Sequence, residues 1–161
     1  LMTKTDQLRE TTAADNALIR SNSYGLAADP TEKSMSPAPK PEVPYLDFSS
    51  LQNALSELGK TTEALSQRWK KTMDSQGDHK KINEALYRAE QQLLTQSGLP
   101  RRGWYKHTLY APGFYTGYGV KTIPGVREAI EQRNWKEAQE QIKVVAASIQ
   151  ALTAYLDTIA R

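Results

Sequence analysis

The last segment of the chain constrains the fold most. From Trp135 onward, apolar side chains recur at Ala138, Ile142, Val145, Ile149, Leu152, Leu156 and Ile159, in alternating steps of three and four residues. A strand would throw successive members of this row to opposite faces, whereas a helix gathers them on one. Asn134, with Glu137 three residues on, has the form of a capping box and sets the helix start. Ala146, Ala147, Ala151 and Ala154 widen the apolar face and permit close approach. A helix apolar on more than one stripe must pack against more than one neighbour.

The rest of the chain has to supply those neighbours. Its 161 residues suit one packed domain rather than two. Residues 1–22 favour a first helix with Leu8, Leu18 and Ile19 as anchors. Residues 23–47 carry Pro30, Pro37, Pro39, Pro41 and Pro44, which sustain neither helix nor ladder and read as a long crossover. Residues 48–97 read as a helical hairpin. Asp47 caps a stripe at Leu51, Leu55, Leu58, Thr62, Leu65 and Trp69, and Gly77-Asp78 breaks it. With Asp78 as the next cap, Ile82, Leu86, Ala89 and Leu93 repeat the spacing until Gly98-Leu99-Pro100. Residues 126–161 hold the C-terminal helices, with Pro124 opening a short one that runs through Ile130. The expected fold is all-α: an up-and-down four-helix bundle, as a single domain over 1–161, with a long crossover loop and an irregular aromatic loop before the last helix.

That aromatic loop, residues 98–125, has no helical periodicity. Long connections of this kind inside compact domains tend to be functional or to pack by their own side chains. Trp104, Tyr105, Tyr110, Phe114, Tyr115 and Tyr118 supply rings, and Gly113, Gly117 and Gly119 permit turns.

Several function classes find little support. With no cysteine there is no disulfide framework, thiolate site or cysteine nucleophile. There is no Gly-x-Ser-x-Gly elbow and no phosphate-cradling Gly-x-x-x-x-Gly-Lys. His79 and His107 are the two histidines, too few for a zinc site that needs three or four convergent ligands. His79 is expected to face solvent, and His107 to hydrogen-bond within the loop. Glu137 and Glu140 are expected to form a solvated face with nearby lysines, and Trp69 and Trp135 to lie in the core. No apolar run approaches a membrane span, and the start lacks the pattern of a signal peptide. A chain beginning Leu1-Met2 suggests a fragment. The net charge of +3 is spread among acids, so nucleic acid is not indicated as a partner.

The order Gly98-Leu99-Pro100, Arg102, Tyr105, His107, Tyr110-Ala111-Pro112 and Pro124-Gly125 resembles the C-terminal dimerisation domain of the transferrin receptor and glutamate carboxypeptidase group. Pro44-Tyr45-Leu46-Asp47-Phe48 and Trp135-Lys136-Glu137-Ala138 extend the resemblance to nearly the whole chain. It implies a noncatalytic domain of a zinc exopeptidase that forms a homodimer and adjoins the parent's peptidase and apical domains. The zinc and its ligands would belong to the peptidase domain, so no cofactor is expected in this chain. An extracytoplasmic or secreted location follows by analogy. In glutamate carboxypeptidases a Lys-Tyr pair on this loop recognises the substrate's C-terminal glutamate. Ungapped alignment puts the tyrosine at Tyr118 and the lysine at Gly117, so substrate binding is expected at Tyr118 without its charged partner. Two other readings stay open: an independent helical module that binds protein or peptide in a groove, and single-stranded nucleic-acid binding by the aromatic loop with Arg101, Arg102, Lys106 and Lys121.

Overall fold

The computed structural model describes residues 1–26, 29, 31, 36–73 and 80–160. The chain divides into two compact units, Leu1–Tyr45 and Leu46–Arg161.

In the first unit, α1 spans Met2–Arg20 and a one-turn helix, α2, spans Ser23–Leu26. The buried side chains of α1 are Thr5, Thr12 and Asn16, whereas Leu18, expected as an anchor, is exposed. The reason is the proline-rich segment, which returns along α1 through polar ties. Asn16 donates from Nδ2 to the Lys40 carbonyl at 2.8 Å and accepts the Lys40 N–H at 2.9 Å. Arg9 donates to the Val43 and Pro44 carbonyls, each at 3.1 Å, and its guanidinium sits 3.7 Å from the Tyr45 ring centroid. Prolines cannot donate hydrogen bonds, so most of the donors come from the helix, with the Lys40 N–H the exception.

The second unit is built around α6, Trp135–Ala160, which packs against α3 (Ser49–Met73), α4 (Lys80–Ala89), α5 (Pro124–Glu131) and the 3-10 turn Glu90–Leu93. Its row Ala138, Ile142, Val145, Ile149 and Leu156 is buried, with Trp135, Leu152 and Ile159 half-buried at the edge. Of the alanines, Ala146 is buried, while Ala147, Ala151 and Ala154 are exposed. Half of the capping box forms: Asn134 Oδ1 accepts the Glu137 N–H and Asn134 Nδ2 donates to Glu137 Oε2, each at 3.2 Å. The Asn134 N–H donates to the Ala129 carbonyl at 2.8 Å instead of to Glu137. By length and composition α6 could cross a membrane, with a mean hydropathy of 1.2 over eighteen residues. This amends the sequence reading, which weighed only unbroken apolar runs. A third of that window, 33 %, is buried inside the unit, in the row packed on α3 and α5.

On α3 the packed row is rotated from the expected one. Ala54 is 1 % exposed and Leu55 51 % exposed, so the row runs Leu51, Ala54, Leu58, Thr61 and Leu65. The small Ala54 lets α3 approach α6 closely, which a leucine in its place would prevent. Asp47 accepts the Ser49 N–H at 2.9 Å at the start of α3, and this bond together with the Ser49 hydroxyl holds its carboxyl below the usual range. Leu86 on α4 is exposed rather than packed, and Leu93 is buried in the 3-10 turn. Gly77, Asp78, His79 and the side chain of Ile82 lie outside the described residues.

The described residues are mainly helical, as expected, with one small two-stranded antiparallel sheet. It falls within the loop read as irregular, where β1, Tyr110–Pro112, pairs with β2, Val120–Thr122. Strand pairing here satisfies backbone groups that a free loop would leave to water.

Candidate functional site

The aromatic loop begins with a compact turn. Gly98 has φ +68°, and a Cβ there would stand 2.3 Å from the Gly103 carbonyl oxygen, so a side chain at this position meets backbone. The Leu99 N–H donates to the Tyr105 carbonyl at 2.8 Å and the Thr95 N–H to the Lys106 carbonyl at 2.9 Å. Thr108 is buried, its hydroxyl shared with the Leu93 carbonyl and Ser148 on α6, each at 2.9 Å.

His107 follows this turn and organises the approach to β1. Its Nδ1 accepts the N–H groups of Leu109 and Tyr110 at 3.2 and 3.3 Å, as expected for a loop-internal role. With Nδ1 accepting, the proton of the neutral ring sits on Nε2. That nitrogen is buried without a hydrogen-bond partner, 3.5 Å from Glu90 Oε1. The separation is too long for a good hydrogen bond. Tyr110 lies over the imidazole with centroids 3.9 Å apart and donates its hydroxyl to Glu90. Burial pushes the His107 pKa down, with Glu90 opposing the shift, and the bond to Glu90 raises that of Tyr110.

Beyond β1 the chain turns through residues 113–119, with the Gly113 N–H donating to the Gly119 carbonyl at 2.9 Å across the neck. Residues 114–120 are all exposed. Phe114 and Tyr115 meet edge to face, centroids 4.9 Å apart. Gly117 has φ +60° with open space where a Cβ would project, and the Tyr118 side chain is fully exposed. The two residues expected to bind substrate therefore sit together at the outermost turn of the hairpin.

Beneath the neck lies the best-built polar cluster of the unit. Glu128 is 2 % exposed and Arg102 5 % exposed. Arg102 Nη2 donates to both Glu128 carboxylate oxygens, at 2.8 and 2.9 Å, and Nη1 donates to the Pro112 carbonyl at 2.7 Å. Glu128 Oε1 also accepts the Phe114 N–H at 2.9 Å. One ion pair thus grips the backbone on either side of Gly113. Arg102 belongs to the motif already quoted, but Glu128 was not singled out from the sequence. The available signal was an acid on a helix otherwise buried through Val126, Ala129 and Ile130.

The other loop cations are also matched. Arg101 makes a two-pronged pair with Glu137 at 2.8 and 2.9 Å, Lys106 donates to the Gln96 carbonyl, and Lys121 pairs with Glu131. Glu137 was expected to face solvent beside lysines; the loop brings an arginine to it instead. Arg101, Arg102 and Lys121, held by carboxylates, are poorly placed to neutralise phosphates, which argues against the nucleic-acid reading. Among the described residues no three His, Asp or Glu side chains converge on a point.

The second unit is a helical body carrying one anchored aromatic hairpin on its surface. The chain belongs to the transferrin receptor-like dimerisation domain family, whose model matches residues 46–157. It is 32 % identical over 111 residues to a probable glutamate carboxypeptidase of Arabidopsis thaliana, covering 65 % of this chain and 16 % of that protein. A probable glutamate carboxypeptidase of Arthroderma benhamiae is 31 % identical over 118 residues, 71 % of this chain and 16 % of its own length. An inactive zinc metalloprotease of Schizosaccharomyces pombe is 26 % identical over 124 residues, 68 % of this chain and 16 % of its own. The chain thus spans about a sixth of these relatives, which are peptidase-family proteins.

Proposed function

We propose that this chain is the noncatalytic homodimerisation domain of a glutamate carboxypeptidase-like zinc exopeptidase, and that its aromatic hairpin completes the substrate pocket of the assembled enzyme. The match to a dimerisation-domain family over most of the second unit carries the first half of this reading. Zinc and its ligands, and the apical partner domain, would lie in the remainder of the parent protein. An extracytoplasmic location belongs to the same proposal. Sedimentation equilibrium over a wide concentration range tests self-association: a concentration-dependent dimer is expected. A monomer both for this chain and for the full-length protein would sink the reading.

The exposed tip supports the pocket role, because a side chain free of its own domain can be shared with another. Tyr118 would donate its hydroxyl to the substrate, while Gly117 supplies the left-handed turn and no charge. In the full-length enzyme, Tyr118→Phe is expected to raise KM for a carboxylate-bearing peptide about tenfold, the worth of one hydrogen bond to a charged group. Unchanged kinetics would remove Tyr118 from the pocket.

A second reading, an independent helical module that binds a peptide, has one observation in its favour. An open groove of about 710 Å³ lies between α3, α4 and α6, lined by Leu65, Trp69, Leu86 and Leu156. An amphipathic helix suits such a groove. A natural reading frame without an upstream peptidase domain would favour this alternative.

A further inference from the structure

The hairpin tip has little apolar contact to hold it. Residues 115–120 are exposed, and Phe114 at their root is 38 % exposed, its ring centroid 5.6 Å from the Arg102 guanidinium carbon. The strands beneath are three residues each and rest partly on a Lys121–Glu131 pair. A two-stranded hairpin of this size is marginal in water by itself. Its placement must therefore come from below, and the neck is where the buried Arg102–Glu128 pair grips both the Pro112 carbonyl and the Phe114 N–H.

A buried ion pair is a costly way to gain stability, since desolvating two charges offsets most of their attraction, and apolar residues of similar volume often serve as well. What the pair supplies that apolar residues cannot is direction. A planar guanidinium and a carboxylate fix angles as well as distances. Gly113, between the two gripped backbone groups, is closely surrounded: a Cβ there would stand 2.2 Å from the Thr116 hydroxyl oxygen.

We infer that Arg102 and Glu128 are positioning residues, which hold the hairpin tip so that Tyr118 meets the substrate at a fixed place in the assembled enzyme. The inference rests on the pocket reading of Tyr118 given above. Neither residue touches substrate, and both act through the backbone of the neck.

The test uses the full-length protein with the double replacement Arg102→Met and Glu128→Leu, which removes both charges together and leaves no unpaired ion in the core. A second variant, Phe114→Pro, deletes the N–H that Glu128 accepts while leaving the ion pair intact, so the question survives if the double variant fails to fold. Amide exchange across residues 113–119 is expected to quicken by more than about tenfold while exchange in α6 is unchanged, the signature of local opening. KM for a peptide is expected to rise about tenfold with kcat little changed, as loss of uniform binding predicts.

Folded variants with unaltered exchange at the tip would overturn the inference, because the clamp would then not place the hairpin. Faster exchange with unchanged KM, while Tyr118→Phe raises KM, would overturn it too: the pocket reading would stand and positioning would not matter. If neither the clamp variants nor Tyr118→Phe moves KM, the pocket reading itself fails and takes the substrate role of the clamp with it.

Discussion

At the scale of single residues, the unit spends charge where burial is greatest. Removing only one partner of the Arg102–Glu128 pair should be far worse than removing both. Glu128→Ala is expected to destabilise the second unit by about 3–5 kcal/mol, because it strands a guanidinium in the core. Urea unfolding followed by circular dichroism measures this, and a loss below about 1 kcal/mol, the range of exposed pairs, would contradict it. His107 makes a pH prediction. Its folded pKa lies below the ordinary value, since burial and two backbone N–H groups aimed at Nδ1 disfavour the cation. As pH falls through the ordinary histidine range near 6.5, the unfolded chain takes up a proton that the folded chain resists, and stability is lost. The contribution is full above that range and declines below it. Melting temperature should therefore fall between pH 7.5 and 5.5 more steeply for the wild type than for His107→Gln; equal slopes would show that the imidazole is indifferent to folding.

Among the elements, α6 was legible because its row is long, regular and capped at its start. Ile142→Ala in its buried centre should cost about 2–5 kcal/mol in chemical denaturation. Asn134→Ala should cost about 1 kcal/mol by loss of the cap. The row on α3 was misread at Leu55 because spacing alone cannot tell which of two adjacent apolar positions faces in; the small Ala54 won through close helix approach. On α1 the leucines gave no sign that the returning proline segment would be tied to the helix by Asn16, which is buried there and bonds the Lys40 backbone. The hairpin was invisible to periodicity, since three-residue strands offer too few alternations to count. Glu128 was missed for another reason: its partner lies 26 residues away, and sequence spacing carries no trace of such a pairing. By contrast, the turn at Gly98 was readable, and Gly98→Ala should disturb the loop, because both its φ and the Gly103 carbonyl stand against a methyl group.

Over the whole molecule, the division at Tyr45 raises the question of cooperativity. The single-domain, four-helix bundle read from the sequence remains the proposal, and the chain provides its own probes. Trp69, Trp104 and Trp135 all fall in the second unit, so tryptophan fluorescence follows that unit alone, while far-ultraviolet circular dichroism follows α1 as well. Coincident transitions in the two signals are expected for one cooperative domain. A separate early loss of dichroism would make the first unit an independent folding element.

The bare tip also bears on how such a domain can change over evolutionary time. Because residues 115–120 are exposed, replacing them where the backbone allows barely touches the folding free energy, and surface substitutions of this kind usually stay within about 0.5 kcal/mol. A lineage can therefore rewrite the tip, exchanging one aromatic for another, without first acquiring a stabilising mutation elsewhere, except at Gly117, where a φ of +60° strains any side chain. The clamp beneath enjoys no such freedom. The hairpin is thus arranged as a fixed mount with an interchangeable head, whose sequence can drift while the scaffold stays the same.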